Sequence, residues 1–138
     1  MAAVGVAAHE AGHAIQDAQG YVPLALRNAA VPAASFGGGI SWILILLGLF
    51  MSSTLVWLGI VAFSCVVVFQ LINLPVEFNA TSRAKEQIAA LGIVRRDEQQ
   101  YIEKVLSAAA WTYIAGTLQA VLTLLYFLVR FGGLGQDE

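Results

Sequence analysis

Between Asn28 and Val76 the chain carries no charged residue. That stretch limits the fold more than any other feature of the sequence. A helix needs about 20 residues to cross the hydrocarbon core of a bilayer. The stretch is therefore too long for one crossing and long enough for two. It divides at Met51-Ser52-Ser53, where polar residues interrupt the apolar run. The expected arrangement is a transmembrane hairpin over 28–74, with spans over about 33–50 and 54–74 and a loosened start at Gly37-Gly38-Gly39. A buried helix pair in a soluble domain is the competing arrangement. Such helices keep a polar stripe toward water, and neither segment has one. The composition agrees: 59% of the 138 residues are hydrophobic and 12% are charged, against about 25% charged in a soluble domain. The formal net charge of −2 gives no case for a nucleic-acid partner.

The flanks complete an all-α integral membrane protein, read as one domain over 1–138. Residues 2–19 form an alanine-rich helix, closed by Gly20 as a C-terminal cap. Its small residues Gly5, Ala7, Ala8, Ala11 and Gly12 invite close approach by another helix. A connector over 21–26 contains Pro23. Pro75 marks a break after the second span, because proline disfavours helix in the residue before it and suits the first turn of a new one. A short amphipathic helix over 76–91 follows, carrying Glu77, Arg83, Lys85 and Glu86, with Gly92 closing it. Asp97 with Gln100 resembles a capping box with Asp97 as N-cap. The last helix, over 97–130, is charge-free from 105 to 129 and supplies a third span. Arg130 and Gly132-Gly133 end it, and the tail at 136–138 is expected to be loose.

Arg83, Lys85, Arg95, Arg96 and Lys104 all lie between the second and third spans. By the positive-inside rule that loop is cytoplasmic. The hairpin returns to the side it left, so Arg27 and the N-terminal helix share the cytoplasmic face. No secretory signal is legible at the N-terminus, and the expected location is the plasma membrane, as a multi-pass protein. Trp42 and Tyr126 read equally as interface anchors or packed aromatics. Cys65, the single cysteine, lies in an apolar run and reads as a packed thiol.

The two histidines of the chain stand at His9 and His13, in His9-Glu10-Ala11-Gly12-His13. Four residues apart on a helix, both imidazoles project from one face. Such a pair can hold one Zn²⁺, with the adjacent glutamate as general base toward water. A catalytic zinc site takes three protein ligands and keeps one position open, and two histidines with a glutamate is a known set. Glu77, just past the second span, is delivered to the membrane face that carries the histidines. It is the best third ligand by position; its competing role is a carboxylate favoured by a helix N-terminus. Polar residues in an apolar helix beside a membrane are expensive unless used. Thr81, one turn beyond Glu77, can orient a ligand, and Asn79 is less well placed. Gln16 and Asp17 flank the histidine face, and Asp17 can accept from a histidine N–H. Arg83 and Tyr113 can bind a substrate carboxylate or an oxyanion, or serve as a surface cation and a packed tyrosine.

Several stretches carry a family resemblance. They are 7–16 around the histidines, Pro23-Leu24 with Leu26-Arg27-Asn28, Leu74-Pro75-Val76-Glu77-Phe78-Asn79-Ala80, and Ala108-Ala109-Ala110 with Thr112-Tyr113. In this order they resemble the YugP-type neutral zinc metallopeptidases of bacterial membranes. The resemblance implies one zinc per chain at His9 and His13 with Glu77 as third ligand, Glu10 as catalytic acid and base, a peptide or protein substrate, and a lipid bilayer as surroundings. Two departures stand out. Family members usually carry a membrane segment and a further region before the histidine helix, so the chain reads as the C-terminal part of the pattern. An upstream region or partner chain can complete the site there. The family also commonly has aspartate where Asn79 stands. Site-2-type intramembrane proteases share the histidine motif but take a ligand from an L-D-G motif, which this chain lacks. The alternative function is a catalytically inactive relative that keeps zinc as a structural or partner-binding element. A blander one is a helical membrane protein with a chance motif.

Overall fold

The structure, a computed structural model, describes residues 1–133; the loose tail expected at 136–138 lies outside them. Among the described residues the fold is all-helical. The helices are α1 (Ala2–Ala18), α2 (Val22–Met51), α3 (Ser53–Leu91) and α4 (Arg96–Phe131). Three of them, α2, α3 and α4, are long and apolar enough to cross a membrane.

The ends of the helices follow local chemistry. Gly20 adopts φ +63°, the left-handed region that glycine enters without a Cβ clash. The Tyr21 N–H then donates to the Gln16 carbonyl at 2.9 Å and the Gly20 N–H to that of Asp17 at 3.0 Å. These two bonds are the Schellman pattern, and they cap α1 where the sequence places the cap. Gly92, at φ +58°, ends α3 in the same conformation. Ser52 alone joins α2 to α3, and its hydroxyl accepts from the Thr54 N–H at 3.2 Å, an N-cap bond.

Three expected boundaries move. The connector at 21–26 is helical from Val22 onward, since Pro23 falls in the first turn, where the missing N–H has no intrahelical acceptor. Pro75 does not break the chain, and the short helix expected over 76–91 is the continuation of α3. Val76, Ala80 and Ala84, one per turn, are completely buried. That stripe keeps the segment helical, and membrane helices tolerate proline where neighbours satisfy the freed backbone groups. At α4 the N-cap is not Asp97. The helix begins at Arg96, and Glu98 supplies the reaching-back half of the box, accepting from the Arg95 N–H at 3.1 Å. Asp97 pairs instead with the Arg95 guanidinium, at 2.6 and 3.1 Å.

The contacts divide the chain into two compact units. One combines Met1–Arg27 with Ile72–Ala115; the other combines Asn28–Leu71 with the chain from Gly116 onward. In the second unit α2 and α3 run antiparallel at very short range. A Cβ at Gly59 would lie 2.8 Å from the Ser41 carbonyl oxygen, and one at Gly48 would lie 2.5 Å from the Val56 nitrogen. Small residues allow such contact between membrane helices, where packing rather than hydrophobic expulsion drives association. Ile45, Val56, Ile60, Phe63, Phe127 and Phe131 are buried there. Trp42, half exposed, joins Phe63 and Phe127 in an edge-to-face cluster with centroids 5.4–6.2 Å apart. Large apolar side chains such as Phe36, Phe50, Leu58 and Val129 face outward, a cost in water and none in lipid. Cys65 is exposed rather than packed. In the first unit, Ala84, Ile88, Ile102 and Leu106 form a small core with Val4, Ala8 and Val94 against it. α1 is thereby seated on α3 and α4.

Candidate metal centre

The first unit brings His9, His13 and Glu77 together. The two imidazoles stack one turn apart on α1, edge to face, with centroids 4.7 Å apart. Glu77 reaches them from α3, and its Oε2 lies 2.9 Å from His9 Nε2 and 3.5 Å from His13 Nε2. One ligand atom from each residue falls within 4.8 Å of the others. Ligand atoms about 2.0–2.1 Å from a tetrahedral zinc lie about 3.3 Å from one another, a spacing the observed 2.9 and 3.5 Å bracket. The Glu77 side chain is only 6% exposed. A buried carboxylate is costly without a cation or donors. The donor set therefore fits a divalent cation.

Gly12 makes this convergence possible. A Cβ there would collide with the backbone carbonyl of Ala80. The contact lies between His9 and His13 on α1, and three residues past Glu77 on α3. Any larger residue would hold the two helices apart at the ligands.

Both histidines are oriented from behind. Gln16, fully buried, sets His13. Its Nε2 donates to the Val76 carbonyl at 2.8 Å and to Asn79 Oδ1 at 3.0 Å. The Val76 carbonyl can only accept, so the amide nitrogen must face it, and Oε1 must face His13 Nδ1, 2.9 Å away. His13 then carries its proton on Nδ1 and leaves the Nε2 lone pair free. Thr81 Oγ1 lies 3.3 Å from His9 Nδ1 and can do the same for His9. Asn79 acts one step further back. Its Oδ1 also accepts from Arg83 Nε at 2.7 Å. Arg83 donates to Gln19 and lies over the Tyr21 ring at 5.7 Å, so its guanidinium supports the network. Asp17 is exposed, and the acceptor at His13 is Gln16. Tyr113, on α4, lines the same side of the site as His9 and Glu10.

A family described as "Putative neutral zinc metallopeptidase" matches residues 1–132. The chain belongs to this family. Membership in a zinc metallopeptidase family implies zinc as the metal for such a donor set. The chain is also 46% identical, over 139 aligned positions, to the "Putative membrane protease YugP" of Bacillus subtilis (strain 168). The match covers all of this chain and 61% of that relative. No solved structure matches. With three helices able to span a bilayer, this member of the zinc metallopeptidase family is a multi-pass membrane protein.

On the far side of His9 the site is open. Glu10 is exposed. Together with His9 it lines a groove of about 190 Å³ whose other walls come from α1 and α4. A metallopeptidase needs such an opening for water and a peptide beside the metal. Gln16 and the groove are the features that sequence reasoning did not assign. Gln16 was visible as a flank of the histidine face, but its partners sit 60 and 63 residues away.

Proposed function

We propose that the protein is a membrane-integral zinc endopeptidase, with His9, His13 and Glu77 as metal ligands and Glu10 as general base and acid. The observation that carries the proposal is the convergence of a buried carboxylate on two histidines 68 and 64 positions away in sequence, beside an exposed glutamate. Zinc held by His9, His13 and Glu77 would supply Lewis acidity toward a peptide carbonyl and toward water. Glu10 takes the proton from the attacking water as its oxygen bonds to the peptide carbon. It then gives that proton to the amide nitrogen as the C–N bond breaks. Gln16 and Thr81 hold the two imidazoles in the tautomer that presents Nε2. Tyr113, which lines the groove with His9 and Glu10, can turn its single O–H toward the negative charge that develops on the carbonyl oxygen. The open groove beside Glu10 favours this reading over a purely structural zinc, because structural sites are closed by four protein ligands.

The setting proposed is the plasma membrane with the site on the cytoplasmic side. In its support, Arg83, Lys85, Arg95, Arg96 and Lys104 lie in the same unit as the metal centre. The substrate class proposed is an unstructured polypeptide. The chain spans 61% of the relative's length, and the part of longer relatives outside the match is proposed to contribute to substrate binding there.

The test is zinc analysis paired with cleavage of an unfolded protein. One zinc per chain is expected, lost on His9→Ala, His13→Ala or Glu77→Ala. Glu10→Gln should keep the zinc and lower kcat by 10²-fold or more, as removal of a general base does. Full zinc with cleavage untouched by Glu10→Gln would sink the mechanism.

A further inference from the structure

The groove beside the metal centre has a chemistry of its own. His9 and Glu10 line it together with Gly5 and Val6 of α1 and Val105, Leu106, Ala109 and Tyr113 of α4. Apart from His9, Glu10 and Tyr113, these residues are apolar. The one polar side chain among α4's contributions is that of Tyr113. A charged side chain lying against Val105, Leu106 and Ala109 would leave water without a partner there, which is unfavourable, and Glu10, the one carboxylate lining the groove, is the general base of the proposed reaction. An apolar one would gain by the area it buries. Size narrows the choice. An apolar cavity of about 150 Å³ holds a benzene molecule, and this groove measures about 190 Å³. Its capacity is that of one leucine, methionine or phenylalanine side chain.

We infer that this groove holds the apolar side chain of the substrate residue adjoining the cleaved bond, and so sets the cleavage preference to medium-sized apolar residues. The inference rests on the metallopeptidase reading and adds its substrate selectivity. Two small residues limit the space. Gly5 is a buried lining residue, where an added Cβ would sit 3.5 Å from Ile102 Cγ2 and 3.7 Å from Val105 Cγ1, ordinary contact distances. Ala109 is exposed on the groove wall, so a larger side chain there fills the groove without displacing the core. Gly5→Ala and Ala109→Phe are therefore fold-preserving ways to shorten and to block the groove.

The experiment uses the full zinc-loaded chain in detergent and two peptide hydroxamates that differ in one residue, leucine or glycine. Binding is measured by titration calorimetry, independently of turnover. The leucine compound is expected to bind the unaltered protein about tenfold or more tightly than the glycine compound, the worth of one buried leucine side chain. Ala109→Phe should bring that ratio close to one, with zinc content unchanged, and Gly5→Ala should lower it. Cleavage sites mapped on an unfolded protein should show leucine, methionine or phenylalanine at one fixed position next to the cut, moving to alanine or glycine in Ala109→Phe. Zinc-dependent binding and cleavage with no preference, or a preference indifferent to Ala109→Phe, would overturn the groove and leave the peptidase standing. Failure of both hydroxamates to bind the zinc-loaded chain, together with no cleavage, would overturn both.

Discussion

Gln16 is a neutral amide doing what a carboxylate or backbone carbonyl does behind many metal-bound histidines. It is completely buried, and the two bonds that its Nε2 donates are fixed, one by the Val76 carbonyl, which can only accept, and one by Asn79 Oδ1, which is itself held by Arg83. An amide gives the site a donor and an acceptor at once: the acceptor orients His13, and the donor ties α1 to the backbone of α3. Gln16→Ala is expected to lower zinc affinity by about 10–100-fold, as loss of such a partner does. Competition with a chromophoric chelator would show it, and an affinity within twofold of the parent would refute the role. Glu in place of Gln16 keeps the acceptor for His13 but turns carboxylate oxygens toward the Val76 carbonyl and Asn79 Oδ1. Gln16→Glu should therefore lose stability while holding zinc better than Gln16→Ala.

At the scale of elements, the closest contact at the centre is between Gly12 on α1 and Ala80 on α3. Gly12→Ala improves helix propensity by up to about 1 kcal/mol, but overpacking against a backbone carbonyl costs about 1–3 kcal/mol. The expected result is a small net loss of thermal stability and a larger loss of zinc affinity, because the ligands on the two helices are forced apart; unchanged affinity would argue against it. Much of this scaffold was legible beforehand. The charge-free stretch gave the hairpin, and position after the hairpin singled out Glu77, which the structure sets beside both histidines. Gly20 and Gly92 marked helix ends because positive φ is cheap for glycine alone. Pro75 misled, since a rule about chain-local clashes does not see the buried stripe of Val76, Ala80 and Ala84. Asp97 misled because Arg95, two residues earlier, competes for its carboxylate. Gln16 and the groove were out of reach, as both depend on which faces of α1, α3 and α4 meet. Periodicity names the faces and leaves their partners open.

At the scale of the whole molecule, orientation in the bilayer is testable by cysteines introduced one at a time. In a Cys65→Ser background, Ile93→Cys reports the exposed segment between α3 and α4, and Gly133→Cys the end beyond α4. A membrane-impermeant maleimide added to intact cells should label the second and spare the first; the reverse pattern would invert the topology. The ties that seat α1 are also independent of any ion. They are the Gln16 bond to Val76, the Gly12–Ala80 contact, and the apolar core of Ala84, Ile88, Ile102 and Leu106. Chelation should therefore leave the helical circular dichroism intact and lower the unfolding temperature modestly, with recovery on adding zinc back. A small zinc domain behaves differently, since there the metal's binding energy is the folding energy. Here the proposed ion would be a replaceable guest in a finished socket. Cobalt exchanged into it should report the coordination by its visible absorption without refolding the chain.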